Sequence, residues 1–203
     1  VGISPSSNPR LAAEGSTFVV VWEDGRSGSS DIRANRSLDG GAHWLAHDVR
    51  LDTDEAGRGA SLAPAVAIAG GTVYAAWQDG RDGFLDVRFN RSPDGGATWR
   101  STDVRLDSGG AGLFPSQAVD VAASGSSILV AWQDGRDGNA DIRLQASSDG
   151  GRNFLAHDLR IDTDPPGEAP SLFPRAAVSG STLLVVWEDE RDGAADVRFN
   201  RSR

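Results

Sequence analysis

Arginine and aspartate recur together at four points of this sequence, and this pairing is suited to recognising carboxylates. A guanidinium holds a carboxylate through two parallel hydrogen bonds, so these arginines could bind a carboxylate ligand. The alternative is that each pair ties its own loop, because it returns in almost the same form at every point. The candidate residues are Asp24, Arg26, Asp79, Arg81, Asp134, Arg136, Asp189 and Arg191.

Metal binding is a weaker expectation for the same segments. Aspartates follow one another closely after the second pair, and oxygen ligands of this kind suit Ca²⁺. Their spacing does not match the EF-hand loop, however, so we expect no resident metal or other cofactor. The candidate calcium ligands are Asp79, Asp82 and Asp86, and the scattered histidines, from which we expect no site, are His43, His47 and His157. The chain has no cysteine, which excludes disulfides and thiolate sites.

The spacing of these segments indicates how the chain is organised. A tryptophan stands just before each aspartate, and the four tryptophans are 55 residues apart without any insertion between copies. They are Trp22, Trp77, Trp132 and Trp187. A fixed period of this size is typical of an array of identical supersecondary units.

Each copy contains four predicted strands, A to D, and no segment with helical periodicity. In the second copy strand A covers 64–68, strand B 72–77, strand C 86–91, and strand D lies within 99–106. Turns rich in Gly and Asp separate them. Four-stranded antiparallel units repeated about an axis are the blades of a β-propeller, because stacked blades bury both faces of each sheet. An open solenoid is the alternative.

The chain thus predicts an all-β fold with three complete blades and strands A, B and C of a fourth, in either a partial or a four-bladed propeller. We place the blades at roughly 8–53, 62–108, 117–163 and 172–203, in a single array over 1–203. We expect this array to be a piece of a longer protein. The last strand C, Asp196–Arg201, would present an unpaired edge, through which copies could self-assemble.

A second motif stands between strands C and D. It reads Ser-Leu-Asp-Gly-Gly-Ala-His-Trp at 37–44, Ser-Pro-Asp-Gly-Gly-Ala-Thr-Trp at 92–99 and Ser-Ser-Asp-Gly-Gly-Arg-Asn-Phe at 147–154. It resembles the Asp-box, Ser-x-Asp-x-Gly-x-Thr-Trp, of bacterial neuraminidase repeats, and the resemblance to the sialidase-like β-propeller superfamily covers the whole chain. The matching residues are Ser37, Asp39, Gly41, Trp44, Ser92, Asp94, Gly96, Trp99, Ser147, Asp149, Gly151 and Phe154.

The chemistry of this motif is that of a turn. Asp accepts hydrogen bonds from turn amides, glycine permits positive φ, and the final aromatic ring can fold back as an apolar plug. The resemblance implies that these boxes are structural and lie on the face opposite the active site. We therefore expect ligands at the other face, where the B–C and D–A loops meet.

The resemblance implies a glycan-recognising protein or an exo-α-sialidase-type glycoside hydrolase, which uses arginines on the substrate carboxylate and a tyrosine nucleophile. The one tyrosine, Tyr74, occupies a strand position that is apolar in the other copies, so we expect it in the core. Glu190 is a lone acid without a tyrosine partner. No catalytic residue can be assigned, and we expect this chain alone to be inactive. A non-catalytic glycan- or protein-binding propeller and a structural scaffold are the alternatives, since near-identical copies lack the asymmetry of a catalytic site.

The net charge and the hydropathy of the chain limit the kinds of partner that it could bind. There are 29 acidic residues against 20 basic ones, a net charge of −9, and every basic residue is arginine. Nucleic acid is an unfavourable partner because phosphate binding needs a basic surface. No apolar run approaches the length of a membrane span and no signal peptide is recognisable in the chain. The family resemblance leads us to expect a secreted or cell-surface protein.

Overall fold

The repeating sequence folds as a repeating antiparallel sheet. The structure is a computed structural model that describes residues 4–202, so the predicted bounds at 1–3 and 203 lie outside the described residues. The first sheet contains β1 (Ser6–Glu14), β2 (Thr17–Asp24), β3 (Asp31–Ser37) and β4 (Val49–Arg50). The second contains β5 (Ser61–Ala69), β6 (Thr72–Asp79), β7 (Asp86–Ser92) and β8 (Val104–Arg105). The third contains β9 (Ser116–Ser124), β10 (Ser127–Asp134), β11 (Asp141–Ser147) and β12 (Leu159–Arg160). The fourth contains β13 (Ser171–Ser179), β14 (Thr182–Asp189) and β15 (Asp196–Arg201).

Strands follow chain order within each sheet, so every sheet is a simple meander. Three sheets have four strands and the last has three, which confirms the predicted β-propeller with an incomplete fourth blade. Among the described residues no helix is long and apolar enough to cross a membrane.

The outermost strands differ from the prediction. Strand D of the second blade is only Val104–Arg105, although the alternating pattern extends over 99–106. The preceding residues follow the turn instead, and Trp99 packs on the apolar cluster between the first two blades. Leu106 is buried beyond the strand, and its amide donates to the carbonyl of Val87 at 2.9 Å. The alternation of apolar residues over 99–106 therefore reflects side chains that are buried against neighbouring parts of the protein. The hydrogen-bonded strand covers only part of that stretch.

The blades stack about an axis with their first strands innermost. The first strands of consecutive blades contact one another, and apolar clusters fill the spaces between blades. Between the first and second blades, Val21 and Ile32 from one sheet meet Val73 and Trp77 from the other, all fully buried. This explains why the B strands are apolar on both faces, since each face packs on a different neighbour.

The repeated tryptophan has a polar function as well as an apolar one. The Trp77 Nε1 donates to an Asp79 carboxylate oxygen at 3.0 Å, and the Ser61 hydroxyl donates to the same oxygen at 3.1 Å. Each of the other three blades makes the same pair of contacts. The contact fixes the end of strand B against the start of strand A within each blade.

The two outer faces of the array are uncovered within the described residues. Val197 and Phe199 in the fourth blade are 76% and 70% exposed, whereas Val87 and Phe89 at the same positions of the second blade are 0% exposed. At the other end Trp44 is 42% exposed. The repeat therefore supplies pairs of identical residues in buried and exposed settings.

Such a pair gives a test of the stacking. We expect Phe89→Ala to lower the free energy of unfolding by about 3–5 kcal/mol, because it leaves a cavity between two blades. Phe199→Ala should change it by less than about 0.5 kcal/mol. Urea unfolding at low protein concentration measures both values. Equal losses at the two positions would contradict burial by radial stacking.

Candidate functional site

The arginines of the B–C loops bind aspartates of their own blade. In the second blade the Arg81 Nε and one Nη group donate to both oxygens of Asp79, at 2.7 and 2.6 Å, and Nη2 also reaches Asp103 at 2.9 Å. Burial alone would raise the pKa of Asp79, but the hydrogen bonds from Arg81 and Trp77 outweigh it and lower that pKa. The loop is thus fixed by a buried ion pair.

All four predicted Asp–Arg pairs have this bidentate geometry. The bonds join Arg26 to Asp24, Arg81 to Asp79, Arg136 to Asp134 and Arg191 to Asp189. The Arg81, Arg136 and Arg191 side chains are only 12%, 14% and 17% exposed, whereas Arg26 is 48% exposed. This geometry supports the loop-tying alternative, and ligand contact at these residues stays a prediction.

The three aspartates considered for calcium are engaged separately. Asp79 pairs with Arg81, Asp82 accepts from Arg88 at 2.7 Å, and Asp86 accepts from the amide of Gly112 at 3.0 Å. Within residues 4–202 no cluster of three or more His, Cys, Asp or Glu side chains forms a metal site. The carboxylates instead organise the loops.

Pairs of buried aspartates lie beneath these loops, with one arginine between each pair. Arg105 lies 3.5 Å from Asp86 and 3.0 Å from Asp107, and both carboxylates are nearly inaccessible to solvent. Asp107 also accepts from the amide of Val87 at 2.9 Å, so the pair connects strand C to the chain that leads into the next blade. One cation between two buried carboxylates leaves one negative charge uncompensated.

Burial and the neighbouring charge of Asp86 raise the pKa of Asp107 to about 6. Burial is also the main cause at the equivalent carboxyls, raising the pKa of Asp52 to about 7 and that of Asp162 to about 6. These groups hold protons well above the ordinary range of an aspartate.

The octapeptide turns fold alike in the first three blades. In the second, the Ser92 hydroxyl donates to Asp94 at 2.7 Å, the Gly96 amide donates to Ser92 Oγ at 2.8 Å, and the Thr98 amide donates to Asp94 at 2.8 Å. Gly40 and Gly41 and their counterparts all have positive φ. The turn is therefore held by its own side chains.

The seventh of the eight box residues varies in type, while its contact with the box aspartate persists. His43 Nδ1 lies 2.5 Å from Asp39, the Thr98 hydroxyl donates to Asp94 at 2.7 Å, and Asn153 donates to Asp149 at 2.7 Å. His43 thus replaces a turn-stabilising hydroxyl.

The predicted aromatic plug packs across a blade junction. Phe154 of the third blade meets Phe89 of the second edge to face, with ring centroids 4.9 Å apart, and Trp99 packs on the cluster shared with the first blade. Trp44 differs from the expectation, because no blade precedes it in the described residues and it is 42% exposed. The ring is a plug only where a preceding blade receives it.

Hydrogen bonds place the loops on opposite faces as predicted. The Gly95 amide of a box donates to Gly71 in the A–B turn at 2.9 Å, while the Phe84 amide of a B–C loop donates to Gly112 in the D–A segment at 3.0 Å. The boxes and the A–B turns therefore share one face, and the B–C loops and D–A segments share the other.

The most distinctive cavity lies on the propeller axis. It measures about 340 Å³ and is lined by the first strands of all four blades. Equivalent positions in these strands carry Arg10, Ala65, Asp120 and Arg175, so a position that is related by the repeat differs in charge from blade to blade. Burial raises the pKa of Asp120, which accepts from the amide of Ala176 at 2.9 Å.

Backbone strain is concentrated at the same cavity. Asn8, Ala63, Ala118 and Phe173 occupy equivalent positions with φ of 50°, 46°, 51° and 53°. This left-handed region is tolerated by Asn but costly for a bulky residue such as Phe. The backbone amide of Ala63 donates a hydrogen bond to Glu23 of the preceding blade at 2.6 Å, and that of Phe173 donates to Gln133 of the preceding blade at 3.1 Å. The pairing of strands A and B shifts its register at this point in every blade, so the left-handed residue belongs to a repeated β-bulge.

Tyr74 and Glu190, which the sequence analysis considered for catalysis, lie away from the axial cavity. Tyr74 is 1% exposed and stacks on Phe89 with centroids 6.3 Å apart, which confirms that it belongs to the core. Glu190 is exposed at a B–C loop, and its amide donates to Pro170 at 3.0 Å.

The axial residues were missed by motif reasoning, although the sequence contained a signal for them. Aligning the four copies shows Arg, Ala, Asp and Arg at 10, 65, 120 and 175 amid otherwise similar residues. Comparing copies for columns that reverse charge would have selected this position together with Arg58, Leu113 and Glu168. The strained residue two positions earlier gives no such warning, because φ is not visible in the sequence.

Comparison with solved structures shows which proteins share this fold. The α-L-arabinanase of Penicillium chrysogenum, complexed with arabinobiose, is similar with a TM-score of 0.68 and 19% identity, over 97% of this chain and 62% of that one. The GH93 α-L-arabinofuranosidase of Fusarium graminearum, also with arabinobiose, gives 0.65 and 17%, over 97% and 64%. The catalytic domain of a GH62 α-L-arabinofuranosidase from Coprinopsis cinerea gives 0.51 and 17%, over 97% and 64%.

The chain therefore has the fold of β-propeller glycoside hydrolases. It spans less than two thirds of the length of the proteins named above. In sequence, no family model matches the chain, and no curated protein matches it. The resemblance to sialidase-like propellers stays a prediction.

The buried aspartate pairs predict a specific pH dependence of stability. A carboxyl with a higher pKa in the folded chain binds its proton more tightly when folded, so the free energy of unfolding falls as pH rises from about 4 to about 7. Asp107→Asn should remove part of this fall, on the order of 2 kcal/mol between pH 4 and 6. Urea unfolding across that range measures it.

Asp82→Asn in the same blade provides the control, because Asp82 lies outside the pairs and is 39% exposed in its side chain. Its pH profile should keep the slope of the unmodified protein. A parallel change of slope in both variants would contradict the assignment to the buried pair.

Proposed function

We propose that this chain is a glycan-binding β-propeller of the glycoside-hydrolase fold, and that its ligand enters the axial cavity from the face of the B–C loops. The observation that carries this is the change of charge at one repeat position of that cavity, which holds Arg10, Ala65, Asp120 and Arg175. A ligand without fourfold symmetry needs contacts that differ from blade to blade.

The side chains in the cavity suit a sugar. Phe173 is 51% exposed and offers an aromatic ring on which the apolar face of a pyranose or furanose can stack. Arg10 and Arg175 each donate one hydrogen bond to the carbonyl of the preceding proline and keep other donors available for hydroxyl groups. Asp120 adds an acceptor. Such a mixture of one ring and a few convergent polar groups is typical of small-ligand sites.

Arabino-oligosaccharides are the first ligands to test, since the two most similar structures named above contain arabinobiose. Sialosides are the alternative that follows from the Asp-box resemblance and from the affinity of arginine for carboxylates.

Binding is favoured over hydrolysis for this chain by the number of acids in the cavity. Glycosidases of the usual type use two carboxyl groups, whereas Asp120 is the one acid among the residues that line the cavity in the described part of the chain. Its raised pKa would suit a general acid. Hydrolysis is the second candidate, and Asp120 would be its proton donor.

Calorimetric titration with arabinobiose and with 3′-sialyllactose tests the proposal. We expect one of them to bind, and Arg175→Gln to weaken that binding about 10- to 100-fold, because it removes a charge-assisted hydrogen bond of about 1.5–3 kcal/mol. Arg152→Gln, on an exposed box turn at the opposite face, should leave affinity unchanged. Absence of binding to both sugars, or equal loss in both variants, would contradict the proposal.

Fluorogenic arabinofuranoside and sialoside substrates separate binding from hydrolysis. Turnover that is lost in Asp120→Asn, with ligand affinity retained, would assign hydrolysis to this chain. Binding without turnover would leave it a glycan-binding propeller.

A further inference from the structure

Three arginines without carboxylate partners lie at the junction between the second and third blades. Most arginines in residues 4–202 form an ion pair with an aspartate, whereas Arg91, Arg100 and Arg152 form none in that range. Arg91 belongs to β7, Arg100 follows the second box, and Arg152 lies within the third box. Unpaired like charges that lie close together repel one another, and such a group stands out in a chain whose net charge is −9.

Two of these guanidiniums converge on Gly150 of the third box. The Arg91 side chain donates to the carbonyl of Gly150, and Arg152 Nη1 donates to the neighbouring carbonyl of Asp149 at 2.8 Å. A Cβ built on Gly150 would lie 3.6 Å from Arg91 Nη1 and 3.8 Å from Arg152 Nη1. The Tyr74 hydroxyl oxygen lies 3.6 Å from the same point. The two cations are therefore close enough to bind different oxygens of one phosphate or sulfate group.

Both guanidiniums keep donors available for a ligand. A guanidinium has five N–H donors, and each of these two side chains uses one nitrogen for its carbonyl contact. Arg152 is exposed, and the other nitrogens of Arg91 are accessible to solvent. The nearby Asp149 carboxylate offsets part of the positive charge, but its side-chain donors are Ser147 and Asn153.

The repulsion within this group affects Arg91. Burial lowers the pKa of Arg91, and the neighbouring charge of Arg152 lowers it further, with a smaller contribution from Arg100. Burial also raises the pKa of Tyr74, so that its hydroxyl stays protonated and adds no negative charge. An anion bound between the guanidiniums would relieve their repulsion.

The first blade junction provides an internal comparison. There Arg36 makes a similar contact across the junction, to the carbonyl of Asp94 at 2.8 Å. A Cβ built on Gly95 would lie 3.5 Å from Arg36 Nη1, but its other close neighbours would be carbon atoms of Leu38 and Thr17. One arginine on strand C is therefore enough to connect two blades, and the second guanidinium is an addition at the second junction.

The residues that distinguish the second junction are not repeated. Arg152 corresponds to alanine in the first two boxes, and Arg100 corresponds to leucine in the first and third blades. Tyr74 corresponds to an aliphatic residue in each of the other three blades. At the third junction strand C carries Ala146 in place of the connecting arginine. The cluster is thus confined to one junction inside the array.

We propose that Arg91 and Arg152 form a binding site for a phosphate or sulfate group on the face of the boxes and the A–B turns. Planar guanidiniums pair with two oxygens of such a group through parallel hydrogen bonds. Arg100 strengthens the attraction from a greater distance. This face is opposite the one from which the proposed sugar ligand enters, so the anion site does not depend on the proposed function.

Titration with sodium sulfate and with sodium phosphate tests the proposal when amide chemical shifts are followed at constant ionic strength. We expect saturable shifts at Gly150 and Arg152 and none at Gly95, the equivalent of Gly150 in the second box. Arg152→Ala should weaken the binding about 10-fold, because it removes a charge-assisted hydrogen bond. The variant should fold normally, since the first two boxes carry alanine at this position.

Arg58→Ala is the matched control. Arg58 is exposed, forms no ion pair within residues 4–202, and lies in a D–A segment on the opposite face. Its removal changes the net charge by the same amount and should leave the affinity for sulfate unchanged. Equal weakening in the two variants would overturn the proposal, as would shifts that never saturate or that are the same in all three boxes.

Glucose 6-sulfate distinguishes the source of the bound group. Tighter binding than inorganic sulfate, read at the amides of Gly150 and Arg152, would indicate an anion that is carried on a sugar. Equal affinity would indicate the inorganic anion. Both results support the site, whereas binding that shifts neither amide would contradict it.

Discussion

Packing between neighbouring blades is the interaction on which the rest of the molecule depends. A sheet of three or four short strands cannot remove both of its faces from water, and every blade here is apolar on both. The fully buried side chains Val21, Phe89 and Trp132 all lie at contacts between blades. The same residue types are exposed where no neighbour is present, so burial belongs to the junction and the residue alone does not determine it.

Ion pairs hold the loops and outer strands, which the apolar contacts between blades do not fix. The Arg81 side chain binds Asp79 and Asp103 together, and Arg105 lies between Asp86 and Asp107, so arginines connect the loops to the outer part of each blade. These carboxylates are buried, and removing a partner from a buried pair is far more costly than removing one at the surface. Many of the acidic residues therefore form an internal network of ion pairs. The acidic composition does more than keep the protein in solution.

Repetition and the proposed function make opposite demands on this fold. The blades must be alike to stack, whereas the sugar site that we propose at the axis needs contacts that differ around it. The innermost strands carry such a difference at Arg10, Ala65, Asp120 and Arg175. Arg10, Asp120 and Arg175 can therefore diverge without disturbing the packing of strands B and C.

The sequence by itself determined the period, the blade and the turn chemistry, because strand alternation, Gly-Asp turns and the 55-residue spacing are local properties of the chain. It also identified Tyr74 as a core residue from its apolar counterparts. Tertiary structure alone decided that strand D is two residues long, that the predicted Asp–Arg pairs close on themselves, and that Trp44 is exposed where Trp99 is packed. It also brought Arg10, Asp120 and Arg175 together, since their meeting depends on how the blades turn about a common axis, and no segment of the chain encodes that on its own.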